Sequence, residues 1–261
     1  MIAILIPARR ASTRLPEKLL LAEHGEPLIA TAARQAALAF GAESVVVCCD
    51  DPALADAART AGVAARLTRP DHASGTDRIA EVAAGIDAKI LVNVQGDEPE
   101  MDPEHIRLVA GLLERNAWAA MATLCVPAGP AAQANPNQVK VVLGGLGGPI
   151  GDSGREGRAL WFTRAPAVWD RDAGGPDQHC FRHLGIYAYR REVLLGYARL
   201  PGSRLEQLEK LEQLRALEAG LGIACAVVDQ ATPGIDIRAD YDAFLARWRS
   251  RRDSQHAPIH S

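Results

Sequence analysis

Along residues 1–94 two rhythms of apolar positions alternate. Short, largely apolar runs at residues 2–6, 44–49, 63–67 and 89–94 have the length and composition of buried strands, the first closed by Pro7. Between them, residues 28–40, 52–61 and 76–84 carry alanine and leucine at helical spacing, and Gly41 and Gly62 stand near the ends of the first two. Strand alternating with helix predicts a parallel sheet covered by helices.

Past residue 100 the pattern changes. Asp102 and Pro103 form an N-cap and first-turn pair for a helix to residue 116, followed by strands at 118–126 and 138–143. Residues 144–157 hold seven glycines and no apolar period, which predicts a mobile surface loop. Strands follow at 159–162 and 184–189, then a helix from the cap Ser203 to residue 219, stopped by Gly220. A strand at 223–228 and a helix at 239–249 complete the pattern, and residues 250–261 read as a disordered tail. The helix beginning at Ser203 carries leucines at 205, 208, 211, 214 and 217. A three-residue step rotates the row by about 60° per leucine, so one core face cannot use all five. Such a helix is either covered on two sides within one subunit or lends one side to a partner subunit, and the second is the expectation.

Composition narrows the classes. With 261 residues, 48% hydrophobic and 23% charged, the chain is globular, neither disordered nor fibrous, and long enough for one large α/β domain or two small ones. Against 32 acidic side chains stand 29 basic ones, for a formal charge of −3, which argues against nucleic-acid binding through bulk charge. The five cysteines are scattered without a CxxC pair, predicting reduced thiols and no zinc site. The first residues have neither the length of a membrane span nor the basic lead of a signal peptide, so a cytoplasmic protein is expected.

One stretch departs from this even charge. Residues 9–18 hold Arg9, Arg10, Arg14 and Lys18 against one acid, Glu17, directly after the first strand. That is the carboxyl edge of a parallel sheet, where open α/β folds bind ligands. Guanidinium and ammonium groups there can neutralise a nucleoside triphosphate, although such a loop alone is also an ordinary solvated surface. Neither G-x-x-x-x-G-K-[ST] nor G-x-G-x-x-G occurs, so side chains must do the holding.

The segments IPARRASTRLPEKLL (6–20), DHASGTDRIAEV (71–82), VNVQGDEP (92–99), NPNQVKVV (135–142), FRHLGIYAYR (181–190) and LEKLEQLR (208–215) together resemble the 3-deoxy-manno-octulosonate cytidylyltransferases, the CMP-KDO synthetases of lipopolysaccharide assembly. The resemblance implies a single α/β domain over residues 1–249 of the nucleotide-diphospho-sugar-transferase type, its mostly parallel central sheet flanked by helices. It also implies a homodimer that uses CTP and magnesium, joins CMP to the anomeric hydroxyl of KDO and releases pyrophosphate. By the same resemblance, Arg9, Ser12, Arg14 and Lys18 belong to the nucleotide loop. Ser74, Gly75 and Thr76 lie near the nucleoside, Gln95 contacts base or sugar, and Asp97 and Asp236 ligate the metal. Arg164, His183, Tyr187, Glu212 and Gln213 form the sugar-acid pocket. Arg9, Lys18, Asp97 and Asp236 carry the catalysis; neither nucleic acid nor membrane is an expected partner.

Residue by residue, plainer readings stand beside these. Asp97 reads as a turn residue, His183 as a hydrogen-bonded scaffold histidine, Ser74 and Thr76 as helix caps, and Glu206, Glu209 and Glu212 as a solvated face. Several positions depart from the family. Glu17 stands where glycine is usual, Leu19 for proline, Glu26 for lysine and Ile237 for threonine; residues 162–168 read FTRAPAV where FSRAPIP is familiar, and the 144–157 loop is long. These departures leave open an amino-substituted KDO or another sugar acid as acceptor. Glu17 inside the basic loop also raises the alternative of a nucleotide binder without turnover.

Overall fold

A computed structural model describes residues 1–145, 155–176 and 180–256. The first half alternates as its pattern dictates: β1 (Ile2–Ala8), α1 (Leu28–Phe40), β2 (Val45–Cys49), α2 (Pro52–Thr60), β3 (Ala64–Leu67), α3 (Gly75–Ala83), β4 (Ile90–Asn93) and α4 (Pro103–Arg115). Side-chain oxygens start three of the helices. Asp51 accepts from the Ala53 amide at 2.8 Å, Ser74 from Asp77 at 3.1 Å and Asp102 from Glu104 at 2.9 Å. Then come β5 (Met121–Ala128), α5 (Pro130–Ala134), β6 (Lys140–Gly144), β7 (Glu156–Thr163), a two-residue hairpin of β8 (Trp169–Asp170) and β9 (Gly175–Pro176), and β10 (Cys180–Arg190). The chain closes with α6 (Arg191–Gly196), α7 (Arg204–Glu209), α8 (Gln213–Glu218), β11 (Ile223–Val227) and α9 (Arg238–His256).

Among the described residues nine strands form one sheet in the order β3-β2-β1-β4-β10-β5-β11-β7-β6. Strands β3, β2, β1 and β4 pair in parallel, as do β5 and β11. The expected parallel sheet stops there: β10 runs antiparallel between β4 and β5, and β7 antiparallel between β11 and β6. The sheet is therefore mixed. Along β1, Ile4 and Ile6 enter one core and Ala3 and Leu5 the other, so a strand buried on both faces reads as an unbroken apolar run.

The continuous helix expected over residues 203–219 is broken. Lys210 takes a left-handed conformation (φ 56°) that ends α7, and α8 restarts at Gln213 with a new rotational phase. Leu211 and Leu214 are buried, Leu205 and Leu217 pack against the same core, and Leu208 alone stays exposed at 68%. The break thus lets four of the five leucines reach the core within the subunit and leaves Leu208 on the surface. The ends of the glycine-rich segment also differ from expectation: Gly144 pairs with Arg158 in the β6–β7 ladder, and residues 146–154, the centre of the expected loop, lie outside the described residues. Helix α9 reaches His256, past the expected boundary at 249, so the expected tail is helical in its first part and its last residues, 257–261, lie outside the described ones. Among the described residues no helix is long and apolar enough to cross a membrane, and all five cysteines are buried free thiols.

Helix α9 closes over an aromatic nest. The His24 ring lies 5.0 Å from Phe244, 5.1 Å from Trp248 and 6.4 Å from Tyr241, centroid to centroid. Thr31 Oγ1 donates to Glu26 at 3.2 Å and so accepts from His24 Nε2 at 2.7 Å, which assigns the proton to Nε2 of a neutral ring. Burial holds the His24 pKa below the ordinary histidine value, with Glu26 opposing. A histidine neutral in the fold but charged when unfolded contributes stability that is complete above about pH 6.5 and is lost as pH falls through the folded value. Glu98, pushed up to about 8 by burial and then by Asp97, acts with the opposite sign: its contribution is lost as pH rises toward that value. The fall in Tm from about pH 7.5 to about 5.5 is therefore expected to be shallower in His24→Gln than in wild type, and parallel curves would contradict this assignment.

Candidate active site

The carboxyl ends of β1 and β4 and the first turn of α3 meet around a cleft of about 260 Å3. It is lined by Pro7, Arg9, Ala11, Ser12, Lys18, Leu19, Gly75, Gln95, Gly96 and Asp97. Six of the residues expected to handle nucleotide or metal, Arg9, Ser12, Lys18, Gly75, Gln95 and Asp97, thus line one cleft. Gly96 permits this closeness: a Cβ there would stand 3.0 Å from Ile29 Cδ1 and 3.3 Å from the Pro7 carbonyl oxygen.

Lys18 organises the centre. Its ammonium, 11% exposed, donates to Asp97 Oδ2 at 2.5 Å and to the Ile235 carbonyl at 2.7 Å, and lies 3.6 Å from Asp236 Oδ1. Arg14 donates to the same Asp236 oxygen at 2.9 Å. The segment carrying Asp236 is docked by the Ile235 amide on the Asp97 carbonyl at 2.9 Å, so residues 139 positions apart in sequence face one point. Ile237, before the start of α9, brings no capping oxygen; Asp240 instead accepts from the amides of Ile237 and Asp236 at 3.0 and 2.9 Å, the acidic half of a capping box.

The other basic residues divide the work. Arg9 is exposed and makes no ion pair or hydrogen bond with the described residues, leaving it available to an anion. Arg10 turns away from the cleft, donating to Glu17 at 3.0 and 2.7 Å and to Asp51 at 3.0 Å. Glu17 is therefore spent on Arg10 and does not confront the cleft, which removes the reason for reading the loop as a binder without turnover. Its backbone is left-handed (φ 50°), a conformation that glycine adopts at lower cost than glutamate.

Two residues expected near the nucleoside serve other tasks. Ser74 caps α3, and Thr76 Oγ1 donates to Glu212 Oε2 at 2.6 Å. That bond joins the nucleotide side to the group expected to bind the sugar acid. Tyr197 adds a hydroxyl bond to the Glu212 carbonyl at 2.8 Å, and Gln95 Nε2 reaches the Gly185 carbonyl of β10 at 3.4 Å.

Gly185 sits where the β10 register against β5 slips, between Leu184 and Tyr187. The irregularity groups His183 with Phe162 and Tyr187, ring centroids 5.1 and 5.2 Å away. The single hydroxyl proton of Thr123 goes to a carbonyl, Ile186 at 2.7 Å or Leu184 at 3.2 Å, so Thr123 Oγ1 accepts from His183 Nε2 at 2.9 Å. His183 is consequently neutral, its pKa lowered by burial to about 3, and its Nδ1 is an acceptor; it is no base at neutral pH. Burial likewise raises the Tyr187 hydroxyl, keeping it a donor. Gln213, 5% exposed, has a buried Nε2 without a hydrogen-bond partner among the described residues, a donor aimed at nothing the chain supplies.

Arg164 is held at the end of β7. Its Nε donates to the Glu209 carbonyl at 2.7 Å and its Nη1 to the Pro136 carbonyl at 3.0 Å, while Nη2 has no partner among the described residues. The Glu209 carboxylate takes the Arg164 amide at 2.9 Å and Thr163 Oγ1 at 2.8 Å; Glu206 takes Arg215 at 2.7 and 2.6 Å. The three glutamates are thus structural acceptors and not a solvated face. The sequence reading also missed Lys140. This fully buried ammonium donates to the carbonyls of Asn135, at 3.0 Å, Gln138, at 2.9 Å, and Arg164, fixing the loop that orients Arg164. A lysine inside an otherwise apolar strand was the available signal.

A cytidylyltransferase family model matches residues 3–223. The 3-deoxy-manno-octulosonate cytidylyltransferase of Rhodopirellula baltica is 45% identical over 95% of this chain and 98% of its own. That of a Methylobacterium species is 46% identical over 95% and 97%. The solved structure of CMP:2-keto-3-deoxy-manno-octonic acid synthetase complexed with CTP superposes with a TM-score of 0.87 at 38% identity, covering 96% of this chain and 99% of that one. A nucleotidyl transferase from Methanothermobacter thermautotroptrophicus, TM-score 0.60 at 15% identity over 96% and 99% of the two chains, shares the fold. The family match over residues 3–223 and the relatives at 45–46% identity over nearly the whole chain show that the chain belongs to the cytidylyltransferase family, among the 3-deoxy-manno-octulosonate cytidylyltransferases.

Proposed function

We propose that the protein transfers CMP from CTP to the anomeric hydroxyl of KDO and releases pyrophosphate. The observation that carries this reading is the meeting of Arg9, Ser12 and Lys18 with Asp97 and Asp236 at one end of the cleft, next to a second polar group built on β7, β10 and α8. Arg9 and Lys18 supply positive charge for the outer phosphates, where negative charge grows as pyrophosphate leaves. On the acceptor side, Arg164 Nη2 offers a charged donor to a sugar carboxylate, and Gln213 Nε2, Tyr187 and the bare His183 Nδ1 offer a donor, a donor and an acceptor to hydroxyl groups. The bond from Thr76 to Glu212 holds the two halves in register.

Magnesium belongs to the same proposal. Two aspartates converging on one ammonium are hard oxygen donors of the number that magnesium takes from protein when phosphate oxygens complete its shell. When bound, the ion would neutralise phosphate charge and lower the pKa of a coordinated hydroxyl. Asp97 and Asp236 would hold it, with Lys18 released toward the phosphates. A homodimer and a single domain rest on the resemblance of the sequence blocks, and a cytoplasmic location fits the five free thiols.

Pyrophosphate release tests the proposal. With CTP, magnesium and KDO, release is expected well above the blank without acceptor, with KDO preferred over amino-KDO and sialic acids. Bound CTP with no release above that blank would replace the enzyme by a binder; preference for another acid would replace only the acceptor.

A further inference from the structure

Arg78 is the largest side chain fully removed from solvent, and nothing in the proposed chemistry uses it. It projects from α3 one turn after the cap Ser74. Its Nη1 donates to Thr68 Oγ1 at 2.5 Å and to the Arg69 carbonyl at 3.3 Å, and its Nη2 to Asp50 Oδ2 at 3.2 Å. Thr68, in turn, is fastened to the end of β2 through its amide and hydroxyl on the Cys49 carbonyl, at 2.8 and 3.1 Å. The far oxygen of Asp50, Oδ1, accepts the backbone amide of Arg10 at 3.0 Å.

The result is a charged strut behind the cleft, linking two elements that line it. It runs from α3, which presents Gly75, through the ends of β2 and β3 to the main chain of the basic loop between Arg9 and Ala11, both of which line the cleft. An ion pair this buried contributes little net stability, since an apolar pair of the same volume often serves as well or better. Its geometry does something an apolar pair cannot: one carboxylate grips a guanidinium with one oxygen and a loop amide with the other. The side chain of Arg10 adds a second, exposed fastening to Asp51 on the same β2–α2 corner.

We infer that Asp50 and Arg78 are positioning residues that set the basic loop at the distance from α3 required by the triphosphate of CTP. The inference rests on the nucleotide reading of the cleft. Asp50→Asn tests it with little change of volume, because an amide offers one acceptor where two donors converge. Arg78→Lys keeps the charge but loses the planar fork, and Thr68→Val removes only the hydroxyl that orients Arg78. Titration calorimetry with CTP in the absence of sugar acid is expected to show Kd raised about tenfold in the first two and about threefold in the third, as loosened support for a binding loop does. KM for CTP should rise in proportion, with kcat at saturating CTP and KM for the sugar acid nearly unchanged. A strut serving stability alone would lower Tm and the active fraction while leaving Kd and KM for CTP at wild-type values. Folded variants that bind CTP like wild type would overturn the inference, with Thr68→Val deciding alone should the charged variants not fold. Wild-type protein that fails to bind CTP would instead overturn the nucleotide reading itself.

Discussion

Asp97→Asn is expected to reduce CMP transfer by about a thousandfold or more, roughly 4 kcal/mol of transition-state stabilisation, while moving Tm by only a few degrees. Asp97 leaves the end of β4 at a point where its backbone carbonyl anchors Ile235 and its carboxylate meets Lys18. An amide keeps the shape and the backbone contact. It loses the charge that would face a divalent cation, and its weaker acceptor relaxes the hold on Lys18. Because Lys18 retains the Ile235 carbonyl and Asp236, the fold has no buried orphan to accommodate. Initial rates over a magnesium series, with Tm measured alongside, check this. A variant that keeps the wild-type rate at limiting magnesium removes Asp97 from the reaction.

Lys18→Met carries the second large effect. In the free protein the ammonium is the counter-charge that lets Asp97 and Asp236 approach each other, and it is nearly buried while they are partly exposed. Without it the two carboxylates repel, at a cost of about 1–2 kcal/mol after allowance for solvent. Turnover should fall about a hundredfold or more, since a preorganised cation facing the leaving pyrophosphate is lost. A readout independent of turnover separates the two roles: magnesium should raise the Tm of Lys18→Met more than that of wild type, because the ion replaces a missing charge in one and competes with a resident one in the other. Equal thermal response in both proteins contradicts the placement of the metal between these aspartates.

How much of this was legible in the sequence follows from which forces were local. The 28–40 helix was readable to the residue because its apolar face and flanking Pro27 and Gly41 are local facts. Strands β1, β2 and β4 were readable because strands buried on both faces leave a nearly continuous apolar signature, whereas β3 is an exposed edge strand marked by its place between two helices. The direction of β10 was not, since an antiparallel strand inserted between parallel ones has the same apolar content as its neighbours. Lys210 was read as one more position of a leucine-rich helix, whereas its left-handed turn is set by packing of Leu211 and Leu214. In the site, the charge density of residues 9–18 announced the basic loop, but which arginine serves it did not follow from spacing: Arg10 is a fastening and Arg9 is free. Asp97 and Asp236 could be paired only through the family blocks. Asp50, Arg78 and Lys140 escaped notice because a charged side chain defaults to solvent until tertiary structure supplies its partners.

A crystal structure of the protein with CTP and magnesium is the most direct test of the central claim. The account predicts triphosphate oxygens within hydrogen-bond reach of Arg9, Ser12 and Lys18, and a metal ion shared by Asp97, Asp236 and the nucleotide. Phosphates seated away from Arg9, Lys18 and Asp97 would contradict it.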